Sequence, residues 1–402
     1  MKTAVVLSGG GAKGAYELGV WKALRKLGIE YDIVVGTSIG ALNGIMMAQN
    51  DYVMCYKLWY FMDYDQVSSM EIKGKYSTKK GRREILTKYT KGLLKGGYEM
   101  DGLSKVIDSA VNIDKFFLSN IDYGLVITHF PSFKGKYVTK KDMNKDNLKE
   151  YLLATAACFP AFKPTKVGKE LYVDGGYFDN IPVKLALELG ADNLIIVDLD
   201  AIGITKDVKK LKVPTTIIKP RIKLGSLLVF EKDYTRKYLK MGYYDTLKTY
   251  NELDGNIYTF NKGSLNRNYN RIYPKFLKKL KKYEDIITKL TIKRLFKDDN
   301  NAYFNDIIET LMKEYKLPYT ELYRASYANV LIRKNFLNSD YKKYNRITKV
   351  LKLKSDSTDS SIISFMYNEI ENDRKNIKKY VNLYPKAFIC ALYLDTIINK
   401  RS

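Results

Sequence analysis

Ser38 stands in the run "VVGTSIGALNG", as Gly36-Thr37-Ser38-Ile39-Gly40. This is the G-x-S-x-G arrangement, in which a serine on a tight strand-to-helix turn is lifted clear of its neighbours. Gly36 and Gly40 keep the flanking backbone bare where it must come close, and the hydroxyl projects at the positive end of the following helix. Such a serine is an acyl-transfer nucleophile if a base lies beside it. The usual base is histidine, and the chain has one, His129 in "LVITHFPSF". Strand alternation makes it one side chain among Val126, Ile127 and Thr128, a packing or surface position rather than a catalytic one. A serine triad is then not available, and the simplest remaining base is a carboxylate touching the serine directly. Asp174 in "LYVDGGYFDNIPV" supplies it: it ends an apolar run, and Gly175 and Gly176 free the chain to turn and set the carboxylate against another loop.

A second glycine cluster, "SGGGAKGAYELG" at residues 8–19, lies between the apolar run Thr3 to Leu7 and a helix-like segment from Ala15 to Leu27. Bare amides at such a turn suit a dinucleotide, a nucleotide phosphate or the oxygen of a reacting ester. Gly9, Gly11 and Gly14 satisfy G-x-G-x-x-G, with Glu30 or Asp32 as the only candidates for the acidic partner of a dinucleotide fold. A P-loop fails, because Ala15 and Tyr16 stand where Lys and Ser/Thr must be. The loop by itself does not choose between the other two.

The elements that must position these residues are legible as alternation. "TAVVL", "YDIVVG", "YGLVITHF", "ELYVDGG" and "NLIIVDLD" are strand-like, and helix-like segments separate them. This predicts an α/β fold with a mostly parallel sheet and helices on both faces. "TTIIKP" to "GYYDTLKTY" reads as a closing strand and helix, giving a first domain over 1–250. Residues 251–402 read as an α-helical region. Within it Phe276, Leu280, Tyr283, Ile287 and Leu290 form one stripe, with Lys275, Lys278, Lys279, Lys281 and Lys282 between them, the pattern of an amphipathic helix from Tyr273 to Leu290 with a basic outer face. "KSDSTDSS" at 354–361 reads as a loop ending in a helix cap.

Composition bounds the class. At 402 residues, 46% hydrophobic and 28% charged, the chain is globular. The run Ala4 to Leu7 is too short for a signal-peptide core and nothing approaches a membrane span, so a cytoplasmic chain is expected. Cys55, Cys158 and Cys390 lack the spacing of a disulfide framework or a metal site. Charge is uneven: residues 1–200 hold 27 Lys and Arg against 23 Asp and Glu, whereas residues 201–402 hold 42 against 21, a net +21. An anionic partner for the second half, or lysine on solvated helix faces, accounts for this.

In this order, "GGGAKG", "GTSIG" and "DGG" closely resemble the patatin-like phospholipases, with "ATAACFPAFKP" and "DNIPV" as similar linking segments and the likeness covering roughly residues 3–250. The resemblance implies a modified α/β-hydrolase-type sheet and a Ser/Asp dyad, with Ser38 the nucleophile and Asp174 its base. It implies an oxyanion hole from the amides around Gly9, Gly10 and Gly11, each donor typically worth about 3 to 4 kcal/mol. Gly14, Gly175 and Gly176 support the turns. Lys13 stands where the family has a basic residue, and either braces the loop or attracts an anionic head group. His129 falls where related proteins often carry Asp, and residues 251–402 match nothing in the family. The implied activity is a serine esterase of phospholipase A or lysophospholipase type, needing no metal or organic cofactor. Its expected partners are a phospholipid or lysophospholipid substrate and an anionic membrane surface on which it sits peripherally, with no nucleic acid. The rival readings are a non-catalytic membrane-interaction protein on the same fold and a dinucleotide-binding oxidoreductase.

Overall fold

The computed structural model describes residues 1–63, 67, 74–75, 78–94, 96–206, 211–283, 300–344, 359–372 and 377–399. The chain divides into two compact units, Met1–Thr249 and Tyr250–Ser402.

In the first unit the elements are β1 (Thr3–Leu7), α1 (Ala15–Leu27), β2 (Ile33–Thr37), α2 (Ile39–Ala48), α3 (Tyr52–Phe61), α4 (Lys79–Leu94), α5 (Asp101–Ala110), α6 (Ile113–Leu118), β3 (Asp122–Phe130), β4 (Gly135–Thr139), α7 (Leu148–Ala156), β5 (Thr165–Val167), β6 (Glu170–Asp174), α8 (Val183–Glu188), β7 (Asn193–Val197), β8 (Thr215–Ile218) and α9 (Lys232–Thr249). The strands form one eight-stranded sheet in the order β5-β6-β3-β2-β1-β7-β8, with β4 also on β3. From β3 to β8 every neighbouring pair is parallel, and β4, β5 and β6 pair antiparallel. The central strands are buried on both faces, which is why β1, β2 and β7 are written as unbroken apolar runs.

Register on β3 brings two chain ends together. The last residue of β2, Thr37, pairs with Val126, and the last residue of β6, Asp174, pairs with Ile127. One strand runs parallel to β3 and the other antiparallel, so their C-terminal ends converge on consecutive residues. The crossover from β2 to β3 is longer than the one helix legible from Ile39, since it holds α2 to α6. Helix α9 is joined to α1 by a buried hydrogen bond from the Tyr16 hydroxyl to Asp245 (3.1 Å).

The second unit contains β9 (Leu253–Asp254), β10 (Thr259–Asn261), α10 (Ser264–Lys281), α11 (Asn300–Glu314), β11 (Leu322–Tyr323), α12 (Ala325–Leu337), α13 (Ser360–Glu371), α14 (Ile377–Val381) and α15 (Pro385–Ile398). Its helices enclose a separate core that includes Phe276, Phe304, Ile332, Phe336 and Phe388. The helical reading of 251–402 lacks the small sheet β11-β10-β9, whose strands of two or three residues are too short to carry a period. Helix α10 begins at Ser264, not at Tyr273, and passes through Pro274. It buries Phe276 and Leu280 and leaves Lys275 and Lys278 exposed, while Ile287 and Leu290 lie outside the described residues. Asp359, from the second half of "KSDSTDSS", caps α13 by accepting from the Ser361 N–H (2.7 Å). The rest of that loop, 354–358, is outside the described residues.

Candidate active site

Ser38 joins β2 to α2 with φ of 55° and ψ of −127°, a left-handed backbone that a non-glycine residue adopts only under constraint. The constraint is visible. The Ser38 N–H donates to Thr155 Oγ1 (3.0 Å), whose hydroxyl donates in turn to the Val126 carbonyl (2.6 Å). A Cβ on Gly36 would fall 2.4 Å from the Gly40 carbonyl carbon, and one on Gly40 would fall 2.6 Å from the Leu7 oxygen. Both elbow glycines are therefore required by close backbone approach.

Asp174, at the end of β6, is buried and accepts from the Gly176 N–H at 2.8 Å. The Ser38 side chain lies beside it and favours its charged form. Burial pushes its carboxyl up to about 6, opposed by Ser38 and by the hydrogen bond from Gly176. Gly175 allows the turn, since a Cβ there would sit 2.3 Å from the Val126 oxygen.

The glycine loop lies against this pair: a Cβ on Gly9 would stand 3.3 Å from Ser38 Cβ and 2.3 Å from Asn180 Oδ1. The three amides named from the sequence are not equivalent. Gly9 donates its N–H to the Asn180 carbonyl (3.1 Å), because residues 9 and 180 run side by side. The N–H groups of Gly10 and Gly11 have no acceptor among the described residues. Gly14 packs behind the loop, against Ile39 and Trp59. Lys13 points inward: it is buried, and Nζ donates to the carbonyls of Asp200 (2.9 Å) and Leu199 (3.4 Å). Burial lowers its pKa, and Asp200 and Asp198 act in the opposite direction.

A cavity of about 510 Å³ opens over Ser38 and Asp174. Gly9, Gly10, Gly11, Gly176 and Asn180 line its polar end, and side chains such as Leu42, Met62, Leu103 and Phe230 make the rest apolar. Ile202 and Ile204 belong to the same wall yet are 91% and 56% exposed, so they form a lip. His129 does not line the cavity; it stacks edge-on against Tyr172 and bonds Ser132 through Nδ1 (2.7 Å). All three cysteines are free, and Cys158 lines the cavity with its thiol pushed up to about 12 by burial. Two supporting residues escaped the sequence reading, Thr155 and Asn180. Both lie in the linking segments "ATAACFP" and "DNIPV", but the residue type alone gives no sign of what each one touches.

Residues 5–187 match the family model described as patatin-like phospholipase. Among curated proteins, Lysophospholipase NTE1 of Mycosarcoma maydis is 29% identical over 217 residues, covering 51% of this chain and 10% of that one. Patatin-like phospholipase domain-containing protein 7 of Rattus norvegicus is 27% identical over 199 residues, covering 49% and 13%. The chain thus spans about a tenth of the length of the curated relatives it matches. Among solved structures, VipD from Legionella pneumophila aligns with a TM-score of 0.40 at 12% identity, over 100% of this chain and 92% of that one. Over residues 5–187, this chain is thus similar to the patatin-like phospholipase domains.

Proposed function

We propose that the unit Met1–Thr249 hydrolyses carboxylic esters of phospholipids or lysophospholipids through a Ser38/Asp174 dyad. The observation that carries this reading is that Ser38, on a strained turn, and the buried carboxylate of Asp174 line the same wall of one apolar cavity. The names of the curated relatives support a lipid substrate.

The steps follow from the groups present. An ester carbonyl sits over Ser38 with its acyl chain along Leu42, Met62 and Leu103. Asp174 takes the hydroxyl proton as Oγ bonds to the carbonyl carbon. The oxygen gains charge and is met by the Gly10 and Gly11 N–H groups, which are fixed in place and uncommitted. Gly9 contributes its bare α-carbon, which makes room, rather than a third donor. Collapse expels the alcohol, which recovers the proton from Asp174. Water then attacks the acyl-Ser38 ester with Asp174 again as base, releasing the fatty acid. A carboxyl near 6 is a stronger base than an ordinary aspartate while still charged at neutral pH. Lys13 braces the glycine loop from behind. The exposed lip Ile202 and Ile204, with the +21 charge of residues 201–402, supports action at an anionic membrane surface from the cytoplasmic side.

The test is labelling with a fluorophosphonate and mass mapping of the adduct. A single adduct on Ser38, lost in Asp174→Asn, is expected; an adduct elsewhere, or none, overturns the dyad.

A further inference from the structure

The C-terminal unit has its own cavity, of about 820 Å³, lined by α10, α12 and the end of α15. Five cations line it: Arg271, Lys275 and Lys279, at steps of four on one face of α10, with Arg324 and Arg333 at the start and in the body of α12. Lys279 is neutralised by Asp395 (2.6 Å) and also donates to its main-chain carbonyl (3.1 Å). The other four have no carboxylate partner among the described residues.

These charges stand on a fixed frame. Tyr393 donates to Asn329 (2.8 Å), Asn329 to Asn268 (2.8 Å) and Asn268 to Tyr393 (3.1 Å), a closed buried ring that ties α15, α12 and α10 together. A satisfied polar ring of this kind is rigid. The first turn of α12 adds a donor. Its Ala325 N–H is capped by Ser264 Oγ (2.7 Å), and the Tyr327 and Ala328 N–H groups go to the Arg324 carbonyl. The Ser326 N–H faces no acceptor among the described residues, at the positive end of the helix, and Ser326 lines the cavity.

We propose that this cavity binds a phosphomonoester group, carried by a lipid headgroup or by a soluble molecule. Four like charges in one concavity repel each other and concentrate the field, and a dianion relieves this where a single carboxylate leaves most of it in place. Three of the four are arginines, whose planar forks match phosphate oxygens in pairs. Tyr327 and Val330, each 57% exposed on the same wall, offer an apolar surface that favours the lipid source. This site is independent of the esterase reading above.

The test uses the full chain in four forms: wild type, Arg324→Gln/Arg333→Gln, Lys275→Gln, and Lys278→Glu/Lys281→Glu/Lys282→Glu, the last altering outer lysines that do not line the cavity. The probes are glycerol 3-phosphate, phosphatidylcholine vesicles doped with phosphatidic acid, and the same vesicles doped with phosphatidylserine. Phosphatidic acid vesicles should bind wild type best, and the double arginine variant about tenfold or more weaker, the scale set by removing a charge-assisted hydrogen bond to phosphate at each arginine. Glycerol 3-phosphate bound by wild type and lost with the arginines, without vesicle binding, supports the same site with a soluble ligand. Lys275→Gln should weaken both phosphate probes independently. Hydrolysis of a small soluble ester should be unchanged by the arginine variant, and its melting temperature should not fall below that of wild type. Unaltered phosphate binding in both cavity variants, or vesicle binding that follows only the outer lysines for both acidic lipids, overturns the proposal.

Discussion

The Ser38 side chain lies beside the Asp174 carboxylate, although 136 positions separate them, because the strands that lead to them end opposite the consecutive residues Val126 and Ile127 of β3. His129, the one histidine of the chain, is not among the residues that line their cavity. Ser38→Ala and Asp174→Asn should each lower kcat on a lipid ester by about a thousandfold or more, and the double variant should be hardly worse, since the two act as a unit. His129→Ala should stay within about twofold of wild type, as a half-buried residue outside the cavity; a loss of a hundredfold with the fold intact would reveal a hidden triad.

Activity should depend on the protonation of Asp174. Its carboxyl is raised to about 6, so the base is charged above that pH and neutral below it. The rate constant kcat/KM for a soluble ester should be flat above about 7 and fall to about a tenth at pH 5, one unit below the titration point. A profile unchanged down to pH 4.5 would rule Asp174 out as the base.

The same shift has a stability consequence of known sign. Folding favours the protonated carboxyl, so this contribution is complete below the ordinary aspartate range and is lost as pH rises through about 6. Asp174→Asn does not titrate and should melt at a higher temperature than wild type at pH 8, by an amount corresponding to at most about 3 kcal/mol. The two should converge near pH 4. Equal melting temperatures at pH 8 would mean that the site holds the charge without strain.

Lys13 is buried against two carbonyls, which gives its removal a distinctive signature. Lys13→Met should lower both kcat and the melting temperature, by about 1 to 3 kcal/mol for the unpaired carbonyls, with little change in KM and no dependence on salt. A salt-dependent rise in KM instead would mean that Lys13 attracts the head group.

Ile202 and Ile204 are exposed apolar residues on the rim of an apolar cavity, a place suited to dipping into a lipid surface. Ile202→Ser/Ile204→Ser should reduce turnover of vesicle-borne substrate several-fold by weakening adsorption, each side chain contributing about 1.5 to 3 kcal/mol if fully buried. Hydrolysis of a short soluble ester should be spared. Equal losses on both substrates would make the lip part of the acyl pocket instead.

The sequence by itself determined the sheet and marked the turns that carry Ser38 and Asp174. Unbroken apolar runs mark strands buried on both faces, and Gly36 and Gly40 mark a serine on a strained elbow, because only residues without a side chain survive such close approach. It also set the single histidine on a strand position, away from that serine. What only the tertiary structure decided were the relations between distant turns. The alignment of β2 and β6 along β3 sets Ser38 near Asp174, and the pairing of Gly9 with Asn180 commits one of the three loop amides to a backbone bond. The inward turn of Lys13 belongs to the same class. So does the cationic cavity of α10 and α12, whose residues read along the chain as ordinary solvated charges. Each of these depends on which carbonyl or carboxylate a folded neighbour presents, a property of packing between segments that residue type and local period do not encode.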